Sequence, residues 1–290
     1  MATVQQEGSF QGKGDLRLHY KRWLPAEGRP QATLIISHGN GEHTGRYEHL
    51  ARHFAERRVA VYCMDLRGYG RSGGVRGHVG HFDDYLADLR IFSGLVVDYS
   101  AGLGRPVLLG HSLGGLIALR YAEVYPQSLG ALILCSPWLG LSRSITTPQR
   151  VAVQLLAALA PRSHWRPGKG DPGLVRRDPA AVKLISEDPL RVRAMTPRWF
   201  TEALRAQRVA IDGSMDLAVP SLWLQAGKDY VVSGVLTQAT YEQVRHPDKT
   251  FRLFPDAYHE LHNEPEAERN QVFAAIAEWL QTRGILDSGG

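Results

Sequence analysis

One stretch of the chain has the residue types of an activated nucleophile: Gly110-His111-Ser112-Leu113-Gly114. It follows the apolar run Val107-Leu108-Leu109 and precedes the apolar helical pattern Leu116-Ile117-Ala118-Leu119. A strand that passes into a helix over so few residues must turn sharply. The small residues around Ser112 let that turn close, and the hydroxyl is left clear of the sheet at a helix N-terminus. The five-residue pattern is short enough to arise by chance, so it is the strand before and the helix after that give it meaning.

A serine hydroxyl attacks poorly until a base takes its proton. On a turn of this kind the partners come later in the chain, acid first and histidine last. Both belong on loops past the carboxyl ends of parallel strands. The run 221–225 leads into Ala226-Gly227-Lys228-Asp229, and the run 251–254 leads into Pro255-Asp256-Ala257-Tyr258-His259. Asp229 is therefore expected to orient His259, and His259 to act as base toward Ser112. Asp65 also ends an apolar run but precedes the serine, which suits bracing of the Arg67-Gly68 turn. Asp256 stands only three residues from His259 and is the weaker choice of acid. His49 and His53 have the i, i+4 spacing of helical metal ligands, yet no third ligand accompanies them. His78 and His81 have no ligand spacing at all. Neither a metal nor a cofactor is expected.

An attacked carbonyl becomes an oxyanion, which needs donors already in place. One is expected to be the backbone N–H of Leu113, the residue after the nucleophile. The other is assigned to the N–H of Asn40, in the loop His38-Gly39-Asn40-Gly41 after the run 33–37, where glycines permit close approach of the backbone.

These loops require a particular scaffold. Short apolar runs at 33–37, 59–65, 106–110, 129–136, 220–227 and 250–254 alternate with helical patterns at 47–57, 82–99, 113–125, 235–245 and 266–282. That alternation predicts an α/β fold with a mostly parallel central sheet flanked by helices. The alternating segment 16–23 is expected to add an antiparallel edge strand. The polar ends, 1–12 and 287–290, are expected to be mobile. Residues 139–217 break the rhythm. They hold an apolar helix at 151–160, a Pro/Gly-rich loop at 161–173 and helical pieces at 179–185 and 198–211, which together predict a helical cap inserted into a core formed by 1–138 and 218–290.

Composition excludes several classes. With 290 residues, 43% hydrophobic and 22% charged, the chain can bury a large core without staples. Cys63 and Cys135 both fall in apolar runs, as buried free thiols do. The polar N-terminus has no signal-peptide pattern and no apolar stretch is long enough to span a bilayer, so a cytoplasmic location is expected. The net charge of +5 is spread over scattered arginines with no nucleic-acid motif. No nucleic-acid partner is expected, although mild attraction to anionic lipid remains open.

With these residues in place, the chain resembles the monoacylglycerol lipases of the α/β-hydrolase superfamily and their lysophospholipase-like bacterial relatives. The resemblance runs through the segment from His38 to Tyr47, Asp65-Leu66-Arg67-Gly68-Tyr69-Gly70-Arg71-Ser72, Gly110–Gly115, Ser136-Pro137, Asp188-Pro189-Leu190, Gly227-Lys228-Asp229 and Ala257-Tyr258-His259-Glu260-Leu261-His262. It implies a serine esterase or lipase acting on monoacylglycerols, with a lysophospholipase or broad carboxylesterase as the alternative and a non-catalytic binding module as the competing class. It also implies that Glu42, Arg46 and His262 surround the polar alcohol part of the substrate; an internal Glu42–Arg46 ion pair that braces the loop is the other reading, and the two are compatible. The family's cap carries an acyl channel and touches membrane. Val151, Val153, Leu155, Leu156 and Leu159 suit such a role, or simple packing on the core. Ile185 stands where the mammalian enzyme has tyrosine before its Asp-Pro-Leu segment, so the substrate pocket is expected to differ there.

Overall fold

The computed structural model describes residues 3–100, 102–164, 172–177 and 179–287. Eight strands form one sheet in the order β1-β2-β4-β3-β5-β6-β7-β8. These are β1 (Thr3–Gln11), β2 (Arg17–Pro25), β3 (Ala32–Ser37), β4 (Val59–Met64), β5 (Val107–His111), β6 (Ala131–Cys135), β7 (Ser221–Ala226) and β8 (Lys249–Phe254). From β4 through β8 every pairing is parallel, while β1–β2 and β2–β4 are antiparallel.

The parallel strands β3 to β7 are buried at every position, as a sheet covered on both faces requires. Alternate residues go to opposite sides. Ala60, Tyr62 and Met64 of β4 join one apolar cluster with α2 (Asp83–Tyr99), α3 (Leu113–Val124) and α6 (Pro197–Gly213). Val59, Val61 and Cys63 join the other, with α1 (Glu48–Ala55) and α8 (Glu266–Gln281). Cys63 and Cys135 are buried and free.

Two expectations at the N-terminus need correction. The segment expected to be mobile forms β1, a nine-residue strand paired with β2 along its length, and β1 rather than β2 is the edge. Most of its side chains are exposed, so no apolar pattern announces it. It is held by the backbone ladder and by Phe10, whose ring stacks on Phe92 at 5.2 Å. At the other end Asp287 donates its N–H to Gln31, whereas 1, 2 and 288–290 lie outside the described residues.

Between β6 and β7 the described residues hold three α-helices: α4 (Thr147–Leu159), α5 (Pro179–Glu187) and α6. Thr146 and Gln149 form a reciprocal capping box that starts α4 four residues before the expected point. Of its apolar residues only Val153 and Ala157 are buried, while Val151, Leu155, Leu156 and Leu159 are exposed. Much of the expected loop, 165–171, falls outside the described residues. The last α-helix before α8 is α7 (Gly234–Gln243).

Candidate active site

Ser112 joins β5 to α3 with φ 52° and ψ −117°, a left-handed conformation that costs a non-glycine residue of order 1–3 kcal/mol. The surroundings hold it there. Its N–H donates to Cys135 O at 3.1 Å and its carbonyl accepts from Trp138 N at 2.9 Å and Leu116 N at 3.1 Å. Glycine is required beside it for close approach: a Cβ on Gly114 would lie 2.0 Å from Ser37 O, and one on Gly110 would lie 2.3 Å from Gly114 O. The Ser112 hydroxyl makes no hydrogen bond among the described residues, so its rotor is free.

Asp229 follows β7 and His259 follows β8, as expected. Asp229 Oδ2 accepts from His259 Nδ1 at 2.8 Å, while its Oδ1 accepts the backbone N–H groups of Val231 and Val232, each at 2.9 Å. The carboxylate is thus fixed by these three donors and, at 3.4 Å, by Gln225 Nε2 on Oδ2, and His259 Nε2 is left without a partner among the described residues. The imidazole lies beside the elbow: its ring centroid is 4.8 Å from that of His111, the neighbour of Ser112. Asp229 and His259 are therefore joined by a hydrogen bond, whereas Ser112 is brought near but not bonded. Burial disfavours charge on His259, but the Asp229 carboxylate, with Glu260 and Glu42 behind it, outweighs burial and raises its pKa. Burial likewise works against the charged form of Asp229, and the imidazole and the two N–H donors overcome it, lowering its pKa.

Neither Asn40 N–H nor Leu113 N–H donates to any acceptor among the described residues. Leu113 is the first residue of α3, whose early N–H groups have no intrahelical acceptor. The Asn40 side chain is anchored by Tyr69, which donates its hydroxyl to Oδ1.

The substrate-binding candidates divide. Glu42 and His262 are buried. Glu42 Oε2 accepts from Gly39 N and from the Tyr47 hydroxyl, both at 2.6 Å, and His262 stacks on Tyr47 at 4.5 Å. Arg46 Nε lies 3.9 Å from Glu42 Oε1, so the internal pair is present, though long. Arg46 also reaches Glu260 at 3.4 Å and Asp188 at 4.0 Å. Only Arg46 and Ile185, of this group, line a cleft of about 620 Å³, together with His43, Arg176 and Asp188. A second cavity of about 290 Å³ lies between α4 and α6, bordered by Leu139, Leu141, Val153, Leu204 and Leu236. Ligand-type atoms of Glu42, Glu260 and His262 approach within 4.8 Å of one another, but this set is occupied by arginines and by the Tyr47 hydroxyl, a donor set that suits no cation. His49 packs on His262 and Phe273, and His53 on Phe273; these are helix-to-core contacts.

The family model of the serine aminopeptidases, S33, matches residues 28–266. The chain belongs to this family. It is 30% identical to the monoacylglycerol lipase of Mycolicibacterium smegmatis over 97% of this chain and 98% of that one. It is 33% identical to the human monoglyceride lipase, over 92% and 87% respectively. Among solved structures, the monoacylglycerol lipase of Paleococcus ferrophilus superposes with a TM-score of 0.79 at 27% identity, covering 97% of this chain and 99% of that one. The S33 chain is a carboxylic-ester hydrolase with the α/β-hydrolase fold expected from its sequence.

Sequence reasoning did not single out Arg176 or Glu260 as site residues. Glu260 adjoins His259, and Arg176 pairs with it from across 84 residues of chain. Adjacency to His259, and its place in the segment Ala257–His262 that carries the resemblance, were the signals available for Glu260. No local pattern marks Arg176.

Proposed function

We propose that this S33 hydrolase cleaves monoacylglycerols to fatty acid and glycerol through an acyl-enzyme on Ser112. The observation that carries the reading is the Asp229–His259 hydrogen bond through Nδ1, which leaves Nε2 unbonded beside a serine held at positive φ. His259 Nε2 takes the proton of Ser112 as Oγ attacks the ester carbonyl. The oxyanion is held by the N–H groups of Asn40 and Leu113. Collapse expels glycerol oxygen, which receives the proton from the imidazolium and leaves an ester on Oγ. Water then repeats the sequence: His259 takes its proton, hydroxide adds to the acyl carbon, and Oγ departs with the proton as the fatty acid is released. Asp229 holds the tautomer and stabilises the imidazolium.

Substrate placement follows the two cavities. The cavity between α4 and α6 mixes Leu139, Val153, Leu204 and Leu236 with Arg150, Gln154 and Gln207. The cleft of Arg46, Asp188 and His43 also carries Leu184, Ile185 and Pro189. Neither is lined by Ser112 or His259, and we assign the acyl chain to the first through its leucines and the glycerol end to the second through its charged groups. On this reading Glu42 and His262 act from behind, by holding the loops, and Ile185 walls the polar cleft. Residues 139–217 serve as the cap on a core of 1–138 and 218–290. The exposed Val151, Leu155, Leu156 and Leu159 on α4 give that cap an apolar face for transient contact with the lipid surface that holds the substrate. No described helix is long and apolar enough to cross a membrane.

The test is turnover of monooleoylglycerol, lysophosphatidylcholine and p-nitrophenyl esters of graded length, alongside fluorophosphonate labelling. Labelling lost in Ser112→Ala, with monooleoylglycerol turnover reduced by about six orders of magnitude, is the expected result. Hydrolysis confined to acetyl and butyryl esters would remove the lipase reading.

A further inference from the structure

Three successive residues of the β6–β7 insertion grip the loop that carries His259. Val175 O accepts the backbone N–H of Glu260 at 3.2 Å. Arg176 Nε and Nη2 both meet Glu260 Oε2. Arg177 Nε donates to Glu264 Oε2 at 2.6 Å and Arg177 Nη2 to Glu268 Oε1 at 3.1 Å. The grip covers both sides of His259, because Glu264 Oε1 in turn accepts the N–H of Tyr258 at 3.0 Å. Glu260 is completed from the core side by Arg46 Nη2 at 3.4 Å and by Asn263 Nδ2 at 2.7 Å. The side chains of Arg176, Arg46 and Glu260 are each no more than 8% exposed.

We infer that Arg176 is a positioning residue for catalysis: by pairing with Glu260 it fixes the loop of His259 from the insertion, so that the imidazole is aligned on Ser112 only while residues 175–177 are docked. The physical basis is that a buried carboxylate cannot be left unpaired without cost. If the insertion lifts, Glu260 loses its best-aligned guanidinium and must follow or take up water, and either displaces the residue next to the base. A displacement of about 1 Å at a reacting group is enough to cost on the order of 10²-fold in rate. The arrangement couples the placement of residues 175–177 to alignment of the base; because Arg176 also borders the cleft assigned to the glycerol end, the effect on the base is read on a substrate that has no glycerol.

This inference rests on His259 acting as the base, and the experiment separates the two. Arg176→Met is compared with wild type on p-nitrophenyl acetate, too short to use the insertion's cavity, and in the rate of fluorophosphonate labelling. The expected result is a fall of roughly 10- to 100-fold in kcat and in labelling rate with KM for the acetate ester little changed, and an intermediate value for Arg176→Lys, which keeps a charge opposite Glu260. Lys183→Gln, which removes the exposed Lys183–Glu187 pair on α5, is expected to match wild type. Should Arg176→Met melt early, Arg176→Met with Glu260→Gln removes the orphaned charge, and the same rates are read on that folded protein. Wild-type kcat and labelling in either variant, or a loss confined to KM for long-chain esters, would overturn the inference and leave the functional reading intact. A wild-type protein that the probe does not label would remove both.

Discussion

Tyr69 donates its hydroxyl to Asn40 Oδ1 across 2.9 Å, while its ring is fully buried and meets the His38 ring edge-on at 5.7 Å. An exposed loop residue is thereby tied to the core. That tie matters because the Asn40 N–H, proposed as an oxyanion donor, is useful only if it is held before the charge develops. Tyr69→Phe keeps the ring and removes the tie. Its stability is expected to drop by about 1 kcal/mol, and kcat by roughly tenfold, a fraction of what loss of a whole oxyanion donor costs. Paired measurements of urea unfolding and of kcat check both.

The pH profile should carry the mark of Asp229. His259 must be neutral to accept a proton, and its pKa is raised above the usual 6.5. The acidic limb of kcat/KM is therefore expected above pH 6.5. The charged or titratable groups around the ring are Asp229 after β7, Glu42 before α1, His111 on the elbow and Glu260 on its own loop. His111 is held below its ordinary value by burial, with His259 adding to the effect, so it does not compete for the proton. In Asp229→Asn the limb should move to lower pH while kcat falls by about 10⁴-fold. A limb that stays in place would show that some other group sets it. The raised imidazole pKa also adds stability that is complete below pH 6.5 and disappears as pH rises through the folded value; the lowered Asp229 pKa adds stability above pH 3.8 that is lost as pH falls.

Arg67 makes a separate, purely structural prediction. Its Nε and Nη2 donate to the two oxygens of Asp88 at 2.6 and 2.7 Å, and Asp88 is fully buried on α2. Asp88 also accepts Lys13 N at 2.8 Å, which pins the β1–β2 turn. Arg67→Met leaves that carboxylate without its ion pair and is expected to cost about 3–5 kcal/mol. Chemical denaturation measures the loss. Turnover per folded molecule should not change.

Chain-length preference should follow the cavity between α4 and α6. Val153 is one of two buried residues on α4 and borders that space. Val153→Trp fills it. The ratio of kcat/KM for oleoyl over butyryl esters is expected to fall by tenfold or more, since each buried methylene contributes about 0.8 kcal/mol. An unchanged ratio would put the acyl chain elsewhere.

How much of this was legible beforehand depended on whether the signal was local. The elbow, the two loops after β7 and β8 and the parallel strands were readable, because strand, turn and helix each leave a pattern within a few residues. β1 was not: its side chains face water on an exposed edge, and what makes it a strand is a backbone ladder to β2 that no side-chain pattern records. For Glu42 the sequence left two readings open, surrounding the alcohol part of the substrate or bracing its loop, because whether a polar side chain meets substrate or is sealed by neighbours depends on what packs over it.

The order of chain segments around Ser112, Asp229 and His259 was thus set by sequence alone, since the chemistry fixes the residue types and the α/β alternation fixes which strand ends they occupy. Which imidazole nitrogen is tied to the carboxylate, which N–H groups stay unbonded, and that Arg176 meets Glu260 were decided only in three dimensions. Those relations join residues 30 to 84 positions apart, and a contact between distant segments comes from the packing of whole elements against one another, which leaves no mark in the local order of residues.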